Sequence, residues 1–169
     1  MNLSRAIVIL LFLIKTLGLQ GQEQLRIRLD IELKPIENRN KNLKNYRVII
    51  SKGKQEIESF TAKKHKFKKT IKSMGIYKFE FSKESYVSKH FIIDVVDIPK
   101  NKKRHRLKAE ITLFHESNKY DVSFLDKEPI SIAYYDYLNK VLKWDFDYNR
   151  TVVEKIIKAQ ITDKNLTKH

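Results

Sequence analysis

Cysteine is absent from this chain of 169 residues. Its absence excludes a disulfide framework, a lipoprotein anchor and any thiol nucleophile. A small exported domain without disulfides depends on its hydrophobic core for stability. The chain is long enough for one such core.

Catalytic motifs are also missing. The sequence has no G-x-S-x-G elbow, no glycine-rich phosphate loop and no H-E-x-x-H zinc helix. Its five histidines, at positions 65, 90, 105, 115 and 169, show no close spacing that would pair two metal ligands. We therefore expect no enzyme, no metal site and no cofactor.

One alternative to a noncatalytic protein depends on three carboxylates. Asp136, Asp145 and Asp147 cluster across a predicted hairpin and would serve a hydrolase. Turn and helix-cap roles explain these residues more simply, because aspartate favours both positions.

Residues 1–21 have the layout of a secretory signal peptide. Arg5 gives a short basic start, residues 6–14 are apolar, and Gly18 or Gly21 offers a small residue for cleavage. This apolar run is shorter than the roughly 20 residues that span a bilayer. We predict export to the periplasm or the cell surface and extracellular space, with no transmembrane span in the mature chain. The alternative is anchoring by an uncleaved N-terminal segment.

Acidic residues are few relative to basic ones, 20 against 35, so the formal net charge is +15. Cleavage after Gly21 would remove Arg5 and Lys15 and leave a net charge of +13. Such a charge attracts anionic polymers, membrane head groups and nucleic acid. Because export separates the chain from the cytosol, we rank envelope glycans and lipid phosphates above nucleic acid. A compositional bias towards Lys, Asn and Ile would produce the same charge without any ligand.

Alternating apolar and polar residues predict a series of strands. The clearest strands cover residues 25–33, 75–81 and 107–113, and further strands cover residues 46–51, 55–60 and 86–94. Gly53 predicts a hairpin turn, because glycine adopts a positive φ without a Cβ penalty.

Two basic segments flank the strand pair of residues 75–94. The first, residues 63–72, predicts an edge strand in which only Phe67 and Ile71 face inward. The second, residues 100–106, predicts a solvated loop. Lysines on an edge strand either bind an anion or prevent edge-to-edge aggregation. The candidate anion-binding residues are Lys63, Lys64, Lys66, Lys68, Lys69, Lys102, Lys103, Arg104 and Arg106.

The C-terminal part predicts a hairpin followed by a helix. Residues 130–135 and 141–146 alternate around a turn at residues 136–140, and Thr151 with Glu154 fits a capping box for a helix that runs to about Gln160. The aromatic residues of this part predict either cross-strand packing or a sugar-binding platform; they are Tyr134, Tyr135, Tyr137, Trp144 and Tyr148.

The run from Ser73 to Lys89, followed by the apolar residues 91–94, resembles the carboxypeptidase regulatory-like domain. In particular it is similar to small bacterial envelope proteins built on that transthyretin-like β-sandwich. With the hairpin at residues 52–54 and residues 129–136, the resemblance covers residues 25–136. Ser85 stands where the family often has glycine. The resemblance implies a noncatalytic sandwich of about seven strands that serves as an accessory or interaction module.

We therefore predict a mainly β chain in three parts. Residues 1–21 are the signal peptide, residues 22–116 form an antiparallel seven-stranded type of β-sandwich, and residues 117–169 form a terminal hairpin and a short helix packed on it. The predicted function is a noncatalytic exported envelope module that binds a protein partner or an anionic surface polymer.

Overall fold

A computed structural model describes residues 25–36, 42–99 and 104–166, with side chains up to Ile161. The predicted signal peptide and two candidate residues, Lys102 and Lys103, lie outside the described residues. The described part forms nine strands, a 3₁₀ helix and one α-helix. These elements are β1 (Ile27–Pro35), β2 (Tyr46–Lys52), β3 (Gln55–Ala62), β4 (Lys66–Ile71), β5 (Ile76–Lys83), β6 (Tyr86–Asp94), β7 (His105–Leu113), the 3₁₀ helix (Ser123–Asp126), β8 (Ile132–Asp136), β9 (Val141–Trp144) and α1 (Phe146–Leu166).

The strands form two sheets. A three-stranded sheet has the order β4-β1-β7, and a six-stranded sheet has the order β3-β2-β5-β6-β8-β9. The predicted mainly β, sandwich-like fold is confirmed, with seven strands before the terminal hairpin. Neighbouring strands are antiparallel except in the β1–β7 and β6–β8 ladders, which are parallel. Within the described residues, no helix is both long enough and apolar enough to cross a membrane.

The core lies between the two sheets and follows the period-two pattern of the sequence. Alternate residues of β1, from Ile27 to Leu33, are buried from one side. Phe79 and Phe91 meet them from the six-stranded sheet and stack on each other with ring centroids 5.0 Å apart. Full burial of each large apolar side chain contributes about 1.5–3 kcal/mol.

The C-terminal hairpin and helix complete the same structure. β8 extends the six-stranded sheet through β6, and Trp144 on β9 packs edge-on against Phe91. The Trp144 Nε1–H donates to the Lys108 carbonyl at 2.8 Å, which joins β9 to the three-stranded sheet. On the inner face of α1, Val152 packs in a second cluster with Phe114.

The helix begins six residues before the predicted start, at Phe146 and not at Val152. Asp145 is the cap, since its Oδ1 accepts the Tyr148 N–H at 2.9 Å and its carbonyl accepts the Asn149 N–H at 3.0 Å. Thr151 lies inside the helix and its Oγ1 donates to the Asp147 carbonyl at 3.0 Å. The predicted capping box at Thr151 was therefore wrong. Aspartate directly after a strand is an equally good cap, and it comes first in the chain.

Left-handed backbone occurs in several turns, among them the β2–β3 and β5–β6 turns. Gly53 has φ 58° in the β2–β3 turn, as its residue type predicts. Ser85 has φ 64° in the β5–β6 turn. The β5–β6 turn therefore has a backbone conformation that glycine favours, although a serine occupies it.

Candidate functional site

The solvent-facing side of the three-stranded sheet, here called the outer face, collects polar side chains. In β1 the residues Arg28, Asp30, Glu32 and Lys34 point outward because their neighbours fill the core. Strand pairing places each of them beside one residue of β7, and it places Arg28, Asp30 and Glu32 also beside one residue of β4. The outer face thus consists of rows that cross three strands, with about 4.8 Å between strands and about 6.7 Å between rows.

Two rows at the start of β1 carry basic side chains. Thr70, Arg28 and Arg106 form one row. The registers Ile27↔Ile71 and Ile27↔His105, continued by one residue, place Lys72, Arg26 and Arg104 in the next row. These six residues and His105 line a groove of about 620 Å³, here called the basic groove.

Asp30 follows the basic groove in the next row, between Lys68 and Lys108. Its carboxylate contacts Arg106 at 2.5 Å and Arg28 at 3.4 Å. Burial opposes its charge, but the hydrogen bond and charge of Arg106, assisted by Arg28, hold the pKa of Asp30 below its ordinary value. Asp30 therefore stays ionised and neutralises part of the Arg28 row.

The outermost row has no such partner. Among the described residues, no carboxylate lies within 4.0 Å of the charged nitrogens of Arg26, Lys72 or Arg104, whereas Arg28 and Arg106 share Asp30. The positive charge of the outer face is thus concentrated at the start of β1.

The other end of the outer face is balanced. Glu32 pairs with Lys66 at 3.2 Å, and Glu110 pairs with Lys34 at 2.7 Å. These rows flank a second groove of about 720 Å³, here called the mixed groove, with Phe67 and Ala109 among its lining residues. The charge of the outer face therefore declines along β1, from strongly positive to nearly neutral.

The structure distributes the predicted anion-binding residues over several places. Arg104 and Arg106 line the basic groove, and Lys66 and Lys68 line the mixed groove. Lys63 and Lys64 are exposed in the connection between β3 and β4. β4 is an edge strand of its sheet, as predicted.

Lys69 has a different environment from the other lysines of β4. It shares the inward parity of Phe67 and Ile71, and its Nζ forms an ion pair with Glu58 of β3 across the edge of the sandwich. Burial lowers the pKa of Lys69. This lysine joins the two sheets and does not face either groove.

Sequence reasoning missed three residues of the basic groove, namely Arg26, Arg28 and Lys72. In the sequence, Arg26 and Arg28 are polar positions of an amphipathic strand, and they do not form a basic run. The available signal was the basic-x-basic spacing that they share with Arg104 and Arg106. Only the parallel β1–β7 register brings the two pairs together.

The three aspartates of the hydrolase alternative do not form one site. Asp136 begins the β8–β9 turn opposite Val141, whereas Asp145 follows the end of β9, about 13 Å along the strand. Asp136 accepts hydrogen bonds from Leu138 and Asn139 and pairs with Lys143 at 2.6 Å. The hydrogen bond from Lys143, followed by those from Asn139, holds the pKa of Asp136 well below its usual range.

The other two aspartates serve the helix. Asp145 caps α1, and Asp147, largely exposed in the first turn, forms an ion pair with Arg150. The clustering that motivated the hydrolase alternative is therefore absent, and all three carboxylates have the turn and helix roles that aspartate favours.

The aromatic residues of the hairpin are not gathered into one platform. Tyr135 is buried and packs edge-on against His105 and Tyr137, while Trp144 packs on Phe91. Tyr134 and Tyr137 are the exposed members. Cross-strand and core packing accounts for Tyr135 and Trp144.

The comparisons with known proteins define no family for this chain. No family model matches the sequence, and no curated protein matches it. Among solved structures, the Bacillus anthracis TIE protein is similar over 54% of this chain, with 15% sequence identity and a TM-score of 0.43. The similar region is 17% of that chain. These comparisons do not confirm the carboxypeptidase regulatory-like resemblance, and the class of the protein stays that of its own fold, a mainly β sandwich.

Proposed function

We propose that this chain is an exported, noncatalytic envelope module that binds an anionic surface polymer through the basic groove. The carboxypeptidase regulatory-like resemblance and the signal-like N-terminal segment motivate its assignment to the envelope. Export is tested by sequencing the N-terminus of the chain that is recovered outside the cytosol. We expect that chain to begin at Leu19 or Gln22.

One observation carries the binding proposal. The basic groove presents five cations from β1 and β7 and from the residues that directly adjoin β1, β4 and β7, and three of them have no carboxylate partner among the described residues. Side chains that project from paired strands are held by the sheet, so a ligand need not order them first. A concave surface also brings these charges towards one ligand, whereas lysines on a convex edge diverge.

The test compares two triple variants of the mature chain. The groove variant is Arg26→Gln, Lys72→Gln and Arg104→Gln, and the control variant is Lys63→Gln, Lys64→Gln and Lys68→Gln. Both lose three positive charges, so a nonspecific effect of net charge affects them equally. Affinity for dextran sulfate and for phosphorylated dextran is measured by calorimetry at about 50 mM and about 200 mM salt.

We expect the groove variant to lose about tenfold or more in affinity for at least one polymer and to bind with a weaker salt dependence. The control variant is expected to stay close to the parent. Equal losses in both variants, or no loss in either, would contradict a polymer site in the groove. Unchanged binding in both variants would favour the other predicted partner, an envelope protein.

A further inference from the structure

The outermost row of the basic groove differs from an ordinary basic patch in its geometry. Lys72, Arg26 and Arg104 directly adjoin the ends of β4, β1 and β7, and the registers of these strands, continued by one residue, place them side by side about 4.8 Å apart. Their side chains are exposed on the same face and line the same groove. One small anion placed above Arg26 is therefore within reach of all three.

The number of acceptor oxygens decides which anion fits this row. A carboxylate offers two oxygens in one plane and one negative charge, which a single guanidinium satisfies. A phosphomonoester offers three terminal oxygens, and its charge is about −2 above its second pKa near 6. Two arginine forks and one ammonium supply donors for all three oxygens.

The decline of charge along the outer face decides how the anion is presented. A polymer with a charge on every unit, laid along β1, would pass Asp30 after the second row and then Glu32 and Glu110. Asp30 offsets part of the charge of Lys68 and Lys108, and Glu32 and Glu110 balance Lys66 and Lys34, so each further anionic group is attracted less than one in the outermost row. A single terminal group in the outermost row avoids these carboxylates, so the arrangement favours an anionic end group over a polyanionic backbone.

We infer that Lys72, Arg26 and Arg104 form a site for a phosphomonoester group, with Arg28 and Arg106 as a second layer of positive charge. This inference rests on the proposed function, because it identifies the group on the polymer that the basic groove binds. The same phosphomonoester chemistry occurs on a phosphorylated glycan and on a phosphatidic acid headgroup.

The first experiment uses small probes that differ in charge and oxygen count. Methyl phosphate, dimethyl phosphate and methyl sulfate are titrated into the ¹⁵N-labelled mature chain, and the arginine side-chain signals are followed at about pH 7.5 and about pH 5. At the higher pH we expect methyl phosphate to bind about tenfold more tightly than either other probe. At the lower pH methyl phosphate becomes a monoanion, and its advantage over methyl sulfate is expected to disappear.

A change of charge on the protein between the two pH values could also alter the relative affinities of the probes. Among the described residues, the charged groups around the site are the five basic side chains of the groove and Asp30, and His105 is the nearby histidine. The His105 ring is turned inward against Tyr135. Any positive charge that the protein gained at the lower pH would strengthen binding of every anion, whereas the expected change weakens methyl phosphate relative to methyl sulfate.

The second experiment identifies the source of the group and separates the two proposals. Phosphorylated dextran, dextran sulfate, and vesicles with phosphatidic acid or with phosphatidylglycerol, a diester, are compared for the parent and the groove variant. Stronger groove-dependent binding to phosphorylated dextran than to dextran sulfate supports a glycan source, and a preference for phosphatidic acid over phosphatidylglycerol supports a lipid source.

Equal groove-dependent binding to both dextrans, with no preference between the vesicles, would overturn the phosphomonoester inference and leave the proposed function intact. Binding that does not depend on the groove would overturn both.

Discussion

At the scale of single residues, Ser85 shows how backbone strain at one position is tolerated. Its φ of 64° lies in the left-handed region, where a Cβ atom is crowded by the backbone. Its carbonyl accepts hydrogen bonds from Glu116 and from the His115 ring, both at 3.0 Å. These contacts join the β5–β6 turn to the segment after β7 and hold the serine in place.

We predict that Ser85→Gly stabilises the protein by about 0.5–1 kcal/mol. Removing the Cβ relieves roughly 1–2 kcal/mol of left-handed strain, and the greater freedom of glycine in the unfolded chain offsets part of that gain. Urea denaturation measures the change. The matched control is Ser88→Gly within β6, where extended backbone needs no glycine and a loss of about 0.5–1 kcal/mol is expected. A destabilised Ser85→Gly variant would show that the hydroxyl of Ser85 has a role of its own.

At the scale of elements, alternation predicts where strands lie but not which strands are neighbours. β1, β5 and β7 were predicted because each buries one face, and a period of two in the sequence records that burial directly. The parallel pairing of β1 with β7 depends on contacts between residues 78 positions apart, which no local pattern encodes. The basic groove depends on that pairing. Of its basic residues, the sequence therefore predicted only Arg104 and Arg106 as anion-binding.

The start of α1 shows the same limit within one element. Both Asp145 and Thr151 have residue types that cap helices. The helical spacing of apolar residues begins at Val152, and it therefore predicted the later start. Phe146, the first residue of the helix, is exposed and does not belong to the buried stripe. The true boundary is set by β9, which ends at Trp144 and leaves Asp145 as the first residue free to cap.

We predict that Asp145→Ala costs about 0.5–2 kcal/mol of stability, since it removes the oxygen that accepts the Tyr148 N–H. Thr151→Ala is the control, with an expected change within about ±0.5 kcal/mol, because alanine suits a helix interior better than threonine. Chemical denaturation of both variants measures the difference. A larger loss from Thr151→Ala would mean that the helix in solution begins at the capping box after all.

At the scale of the whole molecule, the division into a sandwich at residues 22–116 and a C-terminal part at residues 117–169 remains a prediction. The contacts argue that the two parts depend on each other. Ala133, Tyr135 and Leu142 belong to the main core cluster, and Phe114 is covered by Val122, Leu125 and α1. Removing the C-terminal part would uncover Phe91 and Phe114 and leave β6 as an unprotected edge.

We therefore predict that the chain of residues 22–169 unfolds in one cooperative transition and that a chain of residues 22–116 has none. A domain is stable by only about 5–15 kcal/mol, and uncovering several large apolar side chains at about 1.5–3 kcal/mol each exceeds a margin of that size. Thermal unfolding followed by near-ultraviolet circular dichroism measures both chains. A chain of residues 22–161 serves as the control and is expected to keep the transition, since it retains Val152, Ile156 and Ala159, the residues of α1 that pack on the second cluster. A sharp transition in residues 22–116 would instead establish a self-sufficient sandwich, and the C-terminal hairpin and helix would then be a separable attachment.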